Sequence, residues 1–526
     1  MPFELRWEDP ADAAYGWKRY RTGPFTRFYA DAWTALHVAK RRCYEETGVP
    51  LSREHVFRMI DGWPYIREPR DDQHDADERF GRFHAYATRV PDYYAGVVRP
   101  EVVSLVELLR RHPRPTAPLP DLYDHLEACV QAHAHVMGNL HWRMVFGGQP
   151  LDWPAVFHKL TGEPPAQASV LLSGTRNEAA KLVGRLRALA GLVQTDPALQ
   201  AAVETRDVRA LRAHPDTAVF KRFRTSFRTL LRRYGQRSGQ GWGSAAAVDA
   251  PTWNMRPEIP LGMVASYARS DLTAIARREK AAASERQRLL QRIQRSLRGD
   301  PAAHQRFEGA RRHAIRNAFV MEDHNHWMDQ CVAGVMREAL DVVGRRLVRD
   351  GHVYHADDAL HLSLHELRDL SSGADAGDLR TLIDERRRRY AEQQTYDPPK
   401  TIGESAPPDG PSFSEEGEGL DGRVLRGIAA SAGRYTGRAH VAARTAEPPD
   451  VQEGDVLVAP DAGPAWTPVF ALLGALVLDR GAGFQHAAVM AREFGIPAVL
   501  GTKQATSAIA DGQTVTVDGD AGVVEL

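Results

Sequence analysis

A single histidine, His486, stands in the stretch "GAGFQHAAVMAREFGIPAV", between glycines and an apolar segment with helical spacing. An imidazole has an ordinary pKa of about 6.5, so at neutral pH much of it is unprotonated and nucleophilic. The start of a helix offers free backbone N–H groups that hold phosphate oxygens, and Gly481 and Gly483 let the backbone come close. The stretch suits a histidine that takes up a phosphoryl group and passes it on. A histidine that only caps a helix is the alternative.

A second group of chemically active side chains lies in "RRHAIRNAFVMEDHNHWMDQ". Spacings of four and seven residues predict two neighbouring stripes on one helix, both facing a cleft. One stripe has Arg312, Arg316 and Asp323, and the other has Glu322, His326 and Asp329. Carboxylates and a histidine in apolar surroundings can remove a proton from a hydroxyl, and arginines can neutralise a phosphoryl group in transfer. We therefore predict that Glu322, Asp323 and His326 are catalytic and that Arg312 and Arg316 bind substrate.

The same pattern also fits a solvated helix face with ion pairs between residues four apart. No metal site is predicted, because Glu322 and His326 supply two ligands and their spacing identifies no third. Arg492 follows His486 on one predicted helix. Its guanidinium can donate two hydrogen bonds to a phosphate or pair with a surface carboxylate, and both interpretations stay open.

Two further patterns have a less specific meaning. His125, His133 and His141 are eight residues apart in a helical segment, which places them roughly on one side of it. Histidines on a long helix are more often core or surface residues than ligands. Apolar pockets favour aromatic walls, so some tryptophans and tyrosines either line an acceptor pocket or simply pack in a core. These aromatic residues are Trp63, Tyr65 and Trp253.

The chain that must position these side chains is 526 residues long. This is too long for one hydrophobic core, so we expect two or three domains. Lysine plus arginine and aspartate plus glutamate both number 68, and this zero net charge argues against nucleic-acid binding. The three cysteines form no CxxC pair, which argues against a disulfide framework or a cysteine-based zinc site. With no signal peptide and no membrane-spanning apolar run, a cytoplasmic protein is expected.

The character of the chain changes near residue 400. Apolar residues at helical spacing dominate the first part, and we predict a large all-α substrate-binding domain over residues 1–395. The segment 396–422 is rich in Pro, Gly, Ser and acidic residues, and predicts a flexible linker. Residues 423–526 alternate β-rich runs, such as "GDVLVAP" and "QTVTVDG", with two helical stretches. The whole predicts a helical domain followed by a small α/β domain.

The blocks "GDVLVAP", "LVLDRGAGFQHAAVMAREFGIPAVLGT" and "DGQTVTVDGDAGVV" resemble the swivelling phosphohistidine domain, or mobile domain, of the phosphoenolpyruvate-utilising enzymes. Several blocks in order are far more specific than one short motif. The helical part is similar to the central region of the rifampicin phosphotransferase family, in "LLSGTRNEAAKLVGRL", "RRYGQRSGQGWGSAAAVDAPTWNMRP" and "MEDHNHWMDQ". The resemblance implies that His486 carries phosphate and that Tyr234, Arg237 and Trp242 border an acceptor pocket.

The sequence departs from the family pattern just before the histidine. The family's usual serine, often preceded by threonine, is replaced by Gln485 and Phe484, and the usual second glycine is Ala482. A hydroxyl that would help to position a phosphate is therefore missing, and the pocket becomes more apolar. A different rate or a different acceptor is the expected consequence.

The resemblance also implies where the nucleotide binds. Members that make phosphoenolpyruvate have an ATP-grasp domain and a barrel, and a (β/α)₈ barrel needs about 250 residues. The mobile-domain blocks end with Leu526, and the first 400 residues contain no glycine-rich Walker-type loop. We therefore expect a split system, as in phenylphosphate synthase, in which ATP and its Mg²⁺ bind to a separate ATP-grasp protein or subunit.

Two hypotheses of different class follow. In the first, His486 accepts phosphate from the partner's ATP and transfers it to a hydroxyl of a small molecule in the helical domain, with elimination of that phosphate making the outcome a dehydration. In the second, the chain is a binding or scaffold protein that retains the fold without turnover. The presence of His486 together with Glu322, Asp323 and His326 favours the phosphotransferase.

Overall fold

The chain forms a large helical body followed by a smaller α/β body, in the order that the sequence predicted. The computed structural model describes residues 5–7, 9–20, 23–47, 56–67, 88–148, 153–172, 174, 177–214, 216–238, 249–374, 377–404, 419–442, 448–481 and 486–526. Within this part of the chain, no helix combines the length and the apolar character that a membrane crossing needs.

Polar caps and proline mark where the helices of the first body begin. Asp300, for example, accepts a hydrogen bond from the backbone N–H of Ala303 at 2.9 Å, and Pro301 occupies the first helical position, where no N–H is needed. The α-helices of this body are Arg27–Thr47, Val90–Tyr93, Arg99–Leu109, Leu119–His133, His141–Gly148, Trp153–Thr161, Glu178–Gln194, Pro197–Glu204, Val208–Ala213, Ala218–Tyr234, Glu258–Arg269, Leu272–Ser296, Pro301–His324, Ala333–Arg349, Leu364–Ser371 and Leu379–Gln393. Short 3₁₀ helices cover Pro10–Ala14, Pro165–Leu172 and Ala356–His361.

Several of these helices continue into one another through π-helical segments, which cover Tyr94–Val98, Ala134–Leu140 and Asn325–Val332. A π-helical turn closes hydrogen bonds from residue i to i+5, so it contains more residues than an α-helical turn. Each segment therefore changes which way the following side chains face. The last of them begins directly after Glu322, Asp323 and His324.

A small antiparallel sheet interrupts the helical body, although the sequence predicted almost only helix there. Its strands are β1 (Trp17–Arg19), β2 (Phe57–Ile60), β3 (Trp63–Arg67) and β4 (Thr401–Ile402), in the order β2-β3-β1-β4. Trp63 and Tyr65 alternate along β3 and are buried in a small core with Trp17, Ile60 and Ile402. These two aromatic residues therefore pack in a core and line no pocket at His486.

The second body contains a nine-stranded sheet in the order β5-β6-β13-β12-β8-β9-β10-β11-β7. The strands are β5 (Gly419–Asp421), β6 (Val424–Arg426), β7 (Ile428–Ser431), β8 (Arg434–Val441), β9 (Val456–Ala459), β10 (Ala475–Leu478), β11 (Ala498–Leu500), β12 (Thr514–Asp518) and β13 (Val523–Glu525). Strands β8 to β11 are parallel, and the others pair antiparallel. The helices are Thr467–Phe470, His486–Phe494 and Ala505–Ala508, with a 3₁₀ turn at Pro464–Trp466.

The parallel strands β9, β10 and β11 read as continuous apolar runs because both faces of this part of the sheet are covered, and all their residues are buried. Helix His486–Phe494 connects β10 to β11, so His486 lies past the carboxyl end of β10. Ligands of open α/β sheets bind outside these carboxyl ends. The topology thus brings the predicted nucleophile to the edge where such sheets bind their ligands.

A short strand lies near each end of the predicted linker 396–422. Residues Thr401–Ile402 pair with β1 of the helical body, and Gly419–Asp421 pair with β6 of the α/β body. The central part of the predicted linker, residues 405–418, lies outside the described residues.

The two bodies share one apolar core. Val264 and Tyr267 of the helical body belong to the same buried cluster as Phe470 and Leu472 of the α/β body. Charged groups of the helical body add polar contacts to the second body: the guanidinium of Arg278 donates to the carbonyl oxygens of Ala471 and Leu473 at 2.9 Å each. In this arrangement the α/β body is docked on the helical body with His486 turned towards it.

Candidate active site

The imidazole of His486 lies at the junction of the two bodies. Its Nε2 atom is 2.7 Å from the hydroxyl oxygen of Thr467, the first residue of helix Thr467–Phe470 in the same body. Only 13% of the His486 side chain is exposed. The preceding Phe484 and Gln485 lie outside the described residues, so their effect on this site stays a prediction.

The other side of the ring faces the helical body. Oε2 of Glu322 lies 2.9 Å from Nδ1 of His486, and the Glu322 side chain is only 3% exposed. This oxygen lacks the alignment of a hydrogen bond, and the described residues offer it no other hydrogen-bond partner. The amide of Asn325 is also close, with Nδ2 at 3.3 Å from Nδ1 of His486 and 3.1 Å from the carbonyl oxygen of Met321. A buried carboxylate therefore contacts the nucleophile across the junction of the bodies.

Further charges surround this contact. Burial lowers the pKa of Arg492 to about 10, against the opposing charges of Glu322 and Glu493. Its guanidinium donates to the carbonyl oxygen of Ala430 at 2.5 Å, so Arg492 is a half-buried neighbour of the site whose charge is turned inwards. Burial also raises the pKa of the Asp461 carboxyl, and the nearby His486 ring offsets only part of this rise. A phosphate oxygen near His486 would thus lie close to charged side chains of both the helical and the α/β body.

A second buried polar cluster lies within the helical body, centred on Glu178. Its carboxylate accepts hydrogen bonds from Arg233 at 2.9 Å, from Lys181 at 2.8 Å and from the hydroxyl of Tyr234 at 3.1 Å. The Glu178 side chain is completely buried. Asn177 caps this helix through its side chain, which fixes where Glu178 points. Of these residues the sequence singled out Tyr234.

His326 belongs to this second cluster. Its ring centroid is 5.1 Å from that of Tyr234, and burial together with the charge of Arg237 lowers the pKa of His326 well below its usual value. Burial lowers the pKa of Arg237 to about 10, and its guanidinium carbon lies 5.7 Å from the ring centroid of the fully buried Trp253. The structure therefore brings Tyr234, Arg237, Trp253 and His326 together, in a cluster separate from the His486–Glu322 contact.

The cluster predicts a pH dependence of stability. Although burial opposes ionisation, the hydrogen bonds of Arg233 and Lys181 lower the pKa of Glu178 to about 2. A depressed carboxyl pKa adds stability above the unfolded value of about 4.3, and this is lost as the pH falls towards 2. Because both partners are partly exposed, we expect Glu178→Gln to lower the free energy of unfolding by about 1 to 3 kcal/mol at pH 7.

Urea unfolding of wild type and Glu178→Gln at pH 7 and at pH 3.5 checks this prediction. The difference in free energy of unfolding between the two proteins should shrink on acidification, because the wild type then loses the contribution that the variant lacks. A gap that stays constant or widens at pH 3.5 would show that Glu178 is not held ionised by its partners.

Asp323 has a different environment from its neighbour Glu322. Its Oδ2 atom accepts hydrogen bonds from Arg99 at 2.7 Å and from the hydroxyl of Tyr94 at 2.9 Å, and its side chain is completely buried. These contacts tie helix Pro301–His324 to the segment around the π-helical turn Tyr94–Val98. The geometry thus gives Asp323 a role in holding the helices together, and the catalytic role that the sequence predicted for it stays a prediction.

Replacing Asp323 should therefore destabilise the fold. Asp323→Ala leaves Arg99 and Tyr94 without their shared acceptor, which we expect to lower the free energy of unfolding by about 2 to 4 kcal/mol. The matched control is Asp92→Ala, which breaks the exposed pair between Asp92 and Arg316 and should change stability by less than about 0.5 kcal/mol. Equal urea midpoints for the two variants would contradict this assignment.

The two predicted stripes do not meet at one cleft. Arg312 and Arg316 are exposed, and Arg316 pairs with Asp92 on the segment that also holds Asp323, so this stripe faces residues 90–99 and not His486. The second stripe divides. Glu322 contacts His486, His326 faces Tyr234, and Asp329 contacts His141. The residues of this stripe no longer share one helix face, because the π-helical segment that begins at Asn325 changes the spacing.

Sequence reasoning missed Thr467, Asn325 and Glu178. Thr467 lies 19 positions before His486 along the chain, and only the return of the chain from β10 brings the two together. Asn325 begins the π-helical segment, which spacing rules for α-helices do not anticipate. Glu178 lies within "LLSGTRNEAAKLVGRL", a block whose resemblance to the family was a signal that this segment contributes to a site.

Comparison with known proteins first defines the class. Residues 451–522 match the mobile domain of the PEP-utilising enzymes, which covers the sheet strands β9 to β12 and His486. Residues 143–321 match the fourth domain of rifampicin phosphotransferase, which ends one residue before Glu322. The chain thus contains an α/β region similar to the mobile domain of PEP-utilising enzymes and a helical region similar to the fourth domain of rifampicin phosphotransferase.

Individual relatives are similar to different shares of the chain. A rifampicin phosphotransferase of Streptomyces sp is 28% identical over 535 residues, covering 95% of this chain and 58% of that protein. The chondramide synthase cmdD of Chondromyces crocatus is 29% identical over 391 residues, covering 70% of this chain and 9% of that protein. A phosphoenolpyruvate synthase of Aeropyrum pernix is 44% identical over 127 residues, covering 24% of this chain and 15% of that protein.

Among the matched relatives are proteins named phosphotransferase and phosphoenolpyruvate synthase, which agrees with the enzyme class that the sequence predicted for this chain. The chain spans little more than half of two of the rifampicin phosphotransferases that it matches, 55% of one and 58% of the other, and less of two others.

Proposed function

We propose that this chain is a phosphotransferase component in which His486 accepts a phosphoryl group from ATP and transfers it to a hydroxyl group of a small molecule. The ATP, with its Mg²⁺, binds to a separate ATP-grasp protein or subunit. The observation that carries the proposal is the contact between His486, at the start of a mobile-domain helix, and the buried carboxylate of Glu322 at 2.9 Å. That contact places the nucleophile against the helical body, where an acceptor would bind.

Nε2 is the proposed nucleophilic atom. The negative charge of Glu322, 2.9 Å from Nδ1, attracts a proton to Nδ1, which leaves the lone pair on Nε2, 2.7 Å from the hydroxyl of Thr467. In this tautomer the amide of Asn325 donates only to the carbonyl oxygen of Met321. In the first step Nε2 attacks phosphorus, the N–P bond forms, and the P–O bond to the nucleotide breaks with its electron pair leaving on the nucleotide. The carboxylate of Glu322 balances the positive charge of the phosphorylated ring when the domain is docked.

In the second step the acceptor's hydroxyl oxygen attacks phosphorus. The N–P bond breaks, its electron pair returns to Nε2, and the hydroxyl proton passes to an oxygen of the transferred phosphoryl group, while Glu322 holds the proton on Nδ1 so that the ring leaves as a neutral imidazole. Of the three predicted proton acceptors, Glu322 is the one in contact with the ring, since Asp323 pairs with Arg99 and His326 lies in the second cluster. Elimination of the transferred phosphate with a neighbouring proton would turn the outcome into a dehydration.

Docking supports a two-position mechanism. Glu322 and Asn325 of the helical body lie against His486, and only 13% of its side chain is exposed. Thr467 belongs to the same body as His486 and moves with it, so its hydroxyl has to rotate away from Nε2 for the attack. Because a nucleotide on another protein must reach the ring, the α/β body has to leave the helical body for the first step and return for the second.

The test is intact-mass analysis of the chain after incubation with ATP, Mg²⁺ and an ATP-grasp partner, with the chain alone as the control. We expect a mass gain of one phosphoryl group only with the partner. A gain by the chain alone would contradict the separate nucleotide site. No gain with any ATP-grasp partner would favour the scaffold hypothesis.

A further inference from the structure

Three buried side chains come together inside the helical body, where two of its long helical runs contact each other. His141 follows the π-helical segment Ala134–Leu140, while His324 and Asp329 lie before and within the π-helical segment Asn325–Val332. One nitrogen or oxygen of each residue lies within 4.8 Å of those of the other two, and all three residues are buried. The proposed phosphoryl transfer uses none of them.

The distances suit ligands of one ion. Nε2 of His141 is 3.1 Å from Oδ1 of Asp329, and Nε2 of His324 is 4.0 Å from Oδ2. Two ligands about 2.0 to 2.1 Å from a tetrahedral metal lie about 3.3 Å apart, close to the shorter of these distances. Oδ1 nevertheless lacks the alignment of a hydrogen bond. The two groups are thus close together without bonding to each other.

The tautomer of His324 is the one that a metal ligand needs. Its Nδ1 lies 3.0 Å from the carbonyl oxygen of Val320, so Nδ1–H donates and Nε2 keeps its lone pair towards Asp329. Metal-binding histidines usually donate their second N–H to a carbonyl or carboxylate in this way, which fixes both tautomer and ring orientation. This contact is an observation independent of the cluster itself.

The charge of Asp329 also calls for a cation. Its side chain is 4% exposed, and its ion-pair partners among the described residues are the imidazoles of His141 and His324. A carboxylate taken out of water is strongly disfavoured unless a positive charge or several hydrogen bonds replace its hydration. Two imidazoles and one carboxylate are the ligands of zinc and related transition metals, whereas Mg²⁺ prefers oxygen ligands throughout.

We propose that His141, His324 and Asp329 bind one divalent transition-metal ion of the zinc type. Nε2 of each histidine and one oxygen of Asp329 are the ligands, which leaves a fourth position open. The ion joins the helical run that contains His141 to the run that contains His324, two residues after Glu322. Its role is to fix this part of the helical body, and it takes part in no step of the proposed phosphoryl transfer.

The test uses the full chain without an affinity tag, stripped by a chelator and then titrated with Zn²⁺ while bound metal is counted by mass spectrometry. We expect one equivalent to bind tightly to the wild type. Asp329→Asn should bind at least about 100-fold more weakly, because loss of a ligand exceeds the 10- to 100-fold effects of outer contacts. The control is His135→Gln, which removes an exposed histidine paired with Glu101 in the same helical run and should bind as the wild type does.

Co²⁺ provides a readout in the wild type, so the test does not depend on the variants folding. The tetrahedral ion should give visible absorption bands at one equivalent, and Zn²⁺ should displace them. Absence of stoichiometric binding by the folded wild type would overturn the proposal. So would an Asp329→Asn variant, folded by circular dichroism, that binds Zn²⁺ as tightly as the wild type.

Discussion

His486→Ala is expected to abolish phosphoryl transfer, not merely to slow it. The imidazole would form the covalent bond to phosphorus, and the contacts on both ring nitrogens come from Thr467, Glu322 and Asn325, none of which forms a stable carrier in its place. A histidine that only oriented the substrate would leave residual turnover, since general acid–base assistance is worth about 10² to 10⁴-fold. The measurement is transfer of labelled phosphate from ATP to the acceptor in the presence of the ATP-grasp partner.

The matched control is His440→Ala, which removes a half-buried histidine on strand β8 of the same body. It should leave phosphate transfer unchanged. The label on the wild type should be acid-labile and base-stable, as a phosphoamidate is, which separates it from a phosphoserine. Labelled His486→Ala protein, or turnover by that variant, would refute the phosphohistidine mechanism.

Glu322→Gln should have the second-largest effect, and it should fall on one step only. The amide keeps the size of the side chain but loses the charge that holds the proton on Nδ1. Without that proton the ring would have to leave phosphorus as an anion, which is a poorer leaving group than neutral imidazole. We expect the transfer from His486 to the acceptor to slow by about 10² to 10⁴-fold. Phosphorylation of His486, which occurs away from the helical body, should change little.

Single-turnover measurements separate the two steps: mass analysis follows the loading of His486, and acceptor added afterwards follows its discharge. Glu308→Gln is the control, because Glu308 is on the same helix and pairs with Arg311. It should load and discharge at the wild-type rates. If Glu322→Gln discharges as fast as Glu308→Gln, the charge of Glu322 does not assist the departure of the ring from phosphorus.

Much of the fold could be predicted from the sequence, because its signals are local. The apolar runs "GDVLVAP" and "ALVLDRG" form the buried parallel strands β9 and β10, and periodic apolar residues form the long helices. The small sheet was missed because β1 and β4 pair across nearly the whole chain, at Trp17 with Ile402. Pairing at such separation leaves no periodic signal in either segment.

The site was predictable to the extent that it depended on one residue with its own local pattern. His486 was found because a glycine-rich turn and a helix start surround it, and Glu322 because it lies in a segment dense in ionisable groups. The partners of Asp323 and His326 could not be found. Their directions depend on the π-helical segment after His324, and α-helical spacing gives the wrong phase beyond that point.

The apolar core shared by the two bodies determines how often the proposed carrier is available to its donor. Separation would expose the contact of Val264 and Tyr267 with Phe470 and Leu472 to water, which is unfavourable by roughly 25 cal/mol for each Å² of apolar surface. The separated conformation is therefore the minor one at equilibrium. A nucleotide-binding protein that captures only this conformation has its apparent affinity reduced in proportion to that small population. Polar substitutions in the shared core should then strengthen its binding and speed the loading of His486.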